Sequence, residues 1–146
     1  MMDDLAEALP GARVLDLFAG SGALAIEALS RGAASADLVE NGSAALHALK
    51  ANVAKLRARS LTRVFVKDAL LFVAALEQDA YDVAFADPPY TSSLAERVVL
   101  RWKELPFARV LCVEHAEDRS LPAGGRTRRV EEAAFTIYRG RTARRR

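Results

Sequence analysis

The sequence predicts an α/β fold: a doubly wound, mostly parallel sheet with helices on both faces. Three features of the 146 residues point there. Short apolar runs of strand character alternate with segments of helical periodicity, the order that builds strand–helix–strand units. A glycine cluster, Gly20-Ser21-Gly22, follows directly on the first apolar run. Glu40, Asp68 and Asp87 stand at or just after predicted strand ends, the edge where such sheets take their ligands. Turn chemistry alone also puts Asp after strands, so the weight lies in the three features agreeing.

Arg13-Val14-Leu15-Asp16-Leu17-Phe18 reads as a buried first strand, stopped by the glycines. Ala23 to Ser30 reads as a helix closed by Gly32. Ala36 to Glu40 is the second strand. Leu46, Leu49, Val53 and Leu56 recur at helical spacing and mark one face of the next helix. Arg63 to Val66 is the third strand, Leu70 to Gln78 a helix, and Tyr81 to Ala86 the fourth strand. Leu94, Val98, Trp102 and Leu105 give another helical face. Arg109 to Val113 is the fifth strand, and two strand candidates follow near 126–130 and 135–138. Neither a repeat nor a linker divides the pattern, so a single domain over 1–146 is expected.

Apolar residues make up 51% and charged residues 27%, which excludes a disordered chain. The longest apolar run, Ala69 to Leu76, is 8 residues; a membrane-crossing helix needs about 20. Asp3, Asp4 and Glu7 stand where a secretory signal would be positive, so none is expected. Cys112 is the single cysteine, which excludes an intrachain disulfide or a Cys-rich metal site and makes a reducing, cytoplasmic setting the expectation. Metal-ligand spacing is absent, and no metal is expected. The net charge of +2 hides an asymmetry: residues 1–118 hold 12 basic and 17 acidic side chains, whereas residues 119–146 hold 9 arginines against Glu131 and Glu132. Such a block suits a polyanion, nucleic acid above all, or is simply a solvated tail.

The first motif is the loop between the first strand and first helix. Gly20 and Gly22 can take positive φ and let a ligand approach the backbone, and with Ala25 they fit G-x-G-x-x-G/A. Glu40 lies 18 positions beyond Gly22, near the ~20 expected of a ribose-binding carboxylate. This pattern fits dinucleotides and other adenosine cofactors, and also a bare strand–helix turn. Asp16 argues against a dinucleotide, because its carboxylate would repel a pyrophosphate; a ligand with a cationic amino group, such as S-adenosylmethionine, suits it. Asp68 at the end of the third strand can accept a hydrogen bond from an adenine amine.

The second motif, Asp87-Pro88-Pro89-Tyr90, follows the fourth strand. Its two prolines remove two backbone donors, leaving carbonyls as the local hydrogen-bonding groups. The Asp87 carboxylate and Pro88 carbonyl can each accept one hydrogen of a planar NH2 group while Tyr90 stacks on its ring. The nitrogen lone pair is then free to face an electrophile. Taken alone, the tetrapeptide is equally a polyproline turn.

With these residues in view, the chain resembles the Rossmann-type S-adenosylmethionine-dependent amino methyltransferases. More closely it resembles the bacterial RsmD-type 16S ribosomal RNA guanine-N2 methyltransferases. The matching stretches are Val14 to Leu24, Glu27 to Ala33 and Asp87 to Tyr90, with Val113-Glu114-His115 and Phe135-Thr136-Ile137-Tyr138-Arg139 similar as well. The resemblance spans roughly 10–140. It implies a seven-stranded sheet with the last strand antiparallel. It implies cofactor contacts from Asp16, Phe18, Gly20, Ser21, Gly22, Glu40 and Asp68, with the adjoining Ala19, Asn41 and Ala69 in the same site. It implies a guanine exocyclic amine held by Asp87, Pro88 and Tyr90, with Pro89 completing the motif. The implied partner is ribosomal RNA or an assembling small ribosomal subunit. Family members usually carry an N-terminal extension of several tens of residues; here 11 residues precede Ala12. That arm is therefore expected to be largely absent, and binding to isolated RNA to be weak.

Other readings remain open on sequence. A DNA adenine or protein glutamine methyltransferase would use a similar Pro-Pro-aromatic motif. An NAD-dependent oxidoreductase fits the glycines but lacks hydride-site residues, and a non-catalytic RNA-binding module would leave Asp87 to Tyr90 idle. His115 is expected to be a surface histidine at a strand end, His47 a boundary position and Cys112 a core thiol. Glu114 could approach the cleft, but nothing local requires it.

Overall fold

Seven strands and four α-helices alternate in the computed structural model, which describes residues 1–57 and 59–140. The strands are β1 (Arg13–Leu17), β2 (Ser35–Val39), β3 (Thr62–Phe65), β4 (Tyr81–Ala86), β5 (Ala108–Ala116), β6 (Arg126–Val130) and β7 (Ala133–Arg139). The helices are α1 (Ala23–Ser30), α2 (Ser43–Lys55), α3 (Ala69–Ala74) and α4 (Leu94–Glu104). They form one sheet in the order β3-β2-β1-β4-β5-β7-β6. Pairings from β3 through β5 are parallel, and β7 runs antiparallel to both of its neighbours, β5 and β6. The seven-stranded sheet and the reversed last strand are as expected.

Strand periodicity divides the apolar residues between two cores. Val14, Leu38, Phe85, Cys112 and Ile137 face one side, under α1, α2 and the N-terminal residues Met2, Leu5 and Leu9. Leu15, Leu17, Ala84, Leu111 and Val113 face the other, under α3 and α4. Trp102 of α4 is buried there, its indole N–H donating to Ala108 O at 2.7 Å, so its one polar group is satisfied. Burial pushes the Cys112 thiol up to about 12, leaving it the inert core thiol expected.

Several boundaries differ from the expected ones. β5 continues three residues past Val113, because Glu114, His115 and Ala116 pair with Phe135, Ala134 and Ala133 of β7. The helix after β3 ends at Ala74 and not Gln78. Its Asp68 N-cap accepts from Leu71 N at 2.9 Å, and Leu71 itself points outward. Leu56 lies past the end of α2 and is exposed. His47 is exposed as well. His115 is not on the surface: it is 4% exposed, with Nε2 2.8 Å from Thr136 Oγ1 and Nδ1 3.0 Å from Ala116 O. Pairing with β7 covers it, and both ring nitrogens find partners there.

The element order reverses at β1, which pairs with β2 on one side and β4 on the other. Connections leave β1 and β4 to opposite faces, opening a crevice at their carboxyl ends. The registers Leu17↔Ala86 and Ala86↔Val113 bring the residues that follow, Phe18, Asp87 and Glu114, to one end of the sheet.

Candidate active site

Leaving β1, Phe18 takes φ +58°, a left-handed conformation that costs a side-chain-bearing residue energy. Gly20 and Gly22 also have positive φ. At Gly22 (φ +84°) the backbone favours glycine where α1 begins, and an added Cβ would stand a tight 3.2 Å from Leu38 Cδ2. Glu40, just past β2, holds this loop: Oε1 accepts from Gly20 N at 2.8 Å, and Oε2 accepts from Asn41 N at 3.1 Å and Gly42 N at 2.9 Å.

Asp16 sits beneath the loop. It is 1% exposed, its Oδ2 accepts from Ala25 N at 3.2 Å, and Oδ1 has no hydrogen-bond partner among the described residues. Burial, with smaller contributions from Asp87 and Glu40, pushes its carboxyl up to about 8. That burial favours the protonated acid over the free carboxylate the sequence suggests.

A cleft of about 680 Å3 opens over these groups. Phe18, Ala19, Gly20, Ser21, Glu40 and Asn41 line one part. Asp68 and Ala69 border it from the start of α3, and Asp87, Pro88, Pro89 and Tyr90 close the far end. Asp16 and Gly22 lie behind this wall. All the other sequence-predicted site residues converge on it, although they come from four separate strand ends.

Asp87 N approaches Leu17 O at 3.5 Å, tying the second motif to the first. Pro88 is buried and Pro89 exposed. Tyr90 is 40% exposed, so its ring is available at the mouth, and its hydroxyl donates to Glu114 Oε2 at 2.8 Å. Partial desolvation, and then the adjoining Glu114 carboxylate, push Asp87 up to about 6. Desolvation and the same carboxylate push the Tyr90 phenol up to about 12. Glu114, which the sequence shows only as able to approach the cleft, is thus joined to both Asp87 and Tyr90. Its signal is its place one residue beyond Val113, in register with Asp87, and that emerges only once β4 and β5 are paired.

The N–H groups of the loop, the orphaned Asp16 oxygen and the Asp68 carboxylate suit a nucleoside with a cationic amino group. At the other end, the Asp87 carboxylate and the Tyr90 ring suit a flat base bearing an amine. Among the described residues no group of three or more His, Cys, Asp or Glu side chains could hold a metal ion. Among the described residues no helix is long and apolar enough to cross a membrane.

The family model described as conserved hypothetical protein 95 matches residues 1–139. Ribosomal RNA small subunit methyltransferase D of Escherichia coli K12 is 41% identical over 95 residues, covering 65% of this chain and 47% of that protein. The candidate rRNA methyltransferase YlbH of Bacillus subtilis is 33% identical over 117 residues, 77% of this chain and 64% of its own. The chain spans about half the length of most of the curated relatives it matches. The solved structure of the candidate methyltransferase yhhF from Escherichia coli superposes with a TM-score of 0.80 at 32% identity, covering 94% of this chain and 80% of that one.

Proposed function

The chain belongs to the family described as conserved hypothetical protein 95, and from that premise we propose that it transfers a methyl group from S-adenosylmethionine to the exocyclic N2 amine of a guanine in 16S ribosomal RNA. The observation that carries this reading is the meeting of two motifs in one cleft. The Glu40-anchored glycine loop faces Asp87-Pro88-Pro89-Tyr90 across the point where the strand order reverses. Names of relatives that act on ribosomal RNA point the same way.

The residues fit the cofactor. Asp16 Oδ1 is a buried polar atom with no hydrogen-bond partner among the described residues, and a cationic amino group reaching it would favour the ionised carboxylate and give that oxygen a donor. Glu40 would hold the ribose, and Asp68 would accept from the adenine amine. Bound S-adenosylmethionine would supply an electrophilic methyl group. The chain's own task is then positioning. Asp87 and the Pro88 carbonyl accept the two hydrogens of the target amine and orient its lone pair. Tyr90 stacks on the base, which must leave its own stack to enter. No strong base is needed before attack, since the methylated amine can lose its proton afterwards.

Arg126, Arg128 and Arg129 on β6 are exposed and offer cations for phosphates, in keeping with an RNA or assembling-subunit substrate. The test is transfer of tritiated methyl to unmodified small ribosomal subunits, with DNA and protein pools in parallel, followed by mapping of the labelled group. Label on guanine N2 supports the reading; label on adenine or glutamine overturns it.

A further inference from the structure

Glu114 takes no part in the mechanism above, yet it touches both ends of the second motif. Parallel register places it beside Asp87 on the next strand, with Ala86 opposite Val113. Its Oε2 accepts the Tyr90 hydroxyl at 2.8 Å, and its carboxylate adjoins that of Asp87. Among the described residues no Lys or Arg forms an ion pair with either acid. Two adjacent carboxylates without a cation repel each other, and each oxygen not already used needs a donor.

Bases differ in what they offer there. Guanine presents two neighbouring donors on its Watson–Crick edge, N1–H and the N2 amine. Adenine and cytosine present an amine next to a ring-nitrogen acceptor. Two acids side by side match donor beside donor and repel donor beside acceptor. We propose that Glu114 is a specificity-determining residue: its carboxylate accepts the N1–H of the target guanine, while Asp87 and Pro88 hold the neighbouring amine. This inference rests on the function proposed above. Discrimination then comes from an unpaired acceptor facing a carboxylate whenever the wrong base enters. The Tyr90 hydroxyl holds the Glu114 carboxylate in place from its other side.

The experiment uses small-subunit RNA in which the mapped guanine is replaced by 2-aminopurine. That base keeps the N2 amine but carries an acceptor at N1. The wild-type protein should prefer guanine in single-turnover transfer by roughly 10- to 100-fold, the worth of one charge-assisted hydrogen bond. Glu114→Gln can turn an amide N–H toward the 2-aminopurine N1, and should shrink that preference about tenfold or more. Tyr90→Phe keeps the carboxylate but removes the hydroxyl that holds it, and should shrink the guanine preference less than Glu114→Gln does. Equal wild-type transfer to the two bases, or a Glu114→Gln preference equal to that of wild type, overturns the inference while guanine methylation stands. A wild-type protein that labels no guanine overturns the function itself, and this inference with it.

Discussion

Asp87 carries the sharpest expectations at the residue scale. If its carboxylate holds the target amine and not the cofactor, as proposed, Asp87→Ala should leave S-adenosylhomocysteine affinity nearly unchanged. Methyl transfer should fall by about 10- to 100-fold, corresponding to a lost charge-assisted hydrogen bond of about 1.5–3 kcal/mol. Asp87→Asn keeps a carbonyl acceptor and should lie between. Because the carboxyl is raised to about 6 and the ionised form is the better acceptor, transfer should rise with pH through about 6 and level off above it. Asp87→Asn should flatten that limb, as read by single-turnover rates across the range. Asp16 bears on stability instead. Its native value near 8 lies above the ordinary 3.8, so the native state holds an extra proton between the two. The favourable contribution is complete below about 4 and is lost as pH rises through about 8. Asp16→Asn should therefore show a flatter dependence of unfolding free energy on pH over that window, measured by urea denaturation. A dependence as steep as that of wild type would count against a buried, protonated Asp16.

At the scale of elements, a polar cluster shared by β2, β3 and β4 is accessible to test. Buried Asp37 of β2 accepts from Arg63 of β3 at 2.9 and 2.7 Å and from the Tyr81 hydroxyl of β4 at 2.6 Å. Arg63→Ala leaves that buried acid short of its cation and should destabilise the fold, read as a lower urea midpoint. Arg63→Ala combined with Asp37→Asn should cost less than the sum of the two single changes, the mark of direct coupling in chemical denaturation. The same elements show what sequence can and cannot reveal. β1, β4 and α1 are legible because their patterns are local: a buried run, a glycine stop, a helical stretch. The last three residues of β5 are not, because their pairing partners lie about twenty residues downstream in β7. The burial of His115 escapes a sequence reading for the same reason. The acids at the strand ends can be read as a set, but the bond between Tyr90 and Glu114 depends on a 24-residue separation that periodicity does not encode. The protonated state of Asp16 follows from burial beneath the loop, which no residue count supplies.

For the whole molecule, the charge asymmetry seen in composition becomes a place. β6 is the outermost strand beyond β7, all five of its residues are exposed, and three are arginines. Arg128 also forms an ion pair with Asp4, linking that edge to the N-terminal segment. Of the other arginines of the basic end, Arg119 donates to Ser92 O and Arg139 to Asp4 O, while Arg141 and Arg144 to Arg146 lie outside the described residues. If the edge engages RNA phosphates, replacing Arg126 and Arg129 with Ala should weaken binding, and every phosphate left without its arginine should lower the log–log salt slope by roughly 0.7–0.9. The check is a titration of affinity against salt concentration. An unchanged slope would reduce these arginines to solvated side chains.

The same outer strand has a consequence for how copies of the protein treat one another. An edge strand shows a row of unused backbone donors and acceptors, a template onto which another chain can add itself. With Arg126, Arg128 and Arg129 along it, two such edges brought together would press like charges against each other at every turn of the pleat. The edge is kept from self-adhesion by the charge that makes it attractive to a polyanion. Neutralising it to study RNA binding would also remove that guard, and the variants should be watched for concentration-dependent light scattering before any weakening of affinity is assigned to the phosphates.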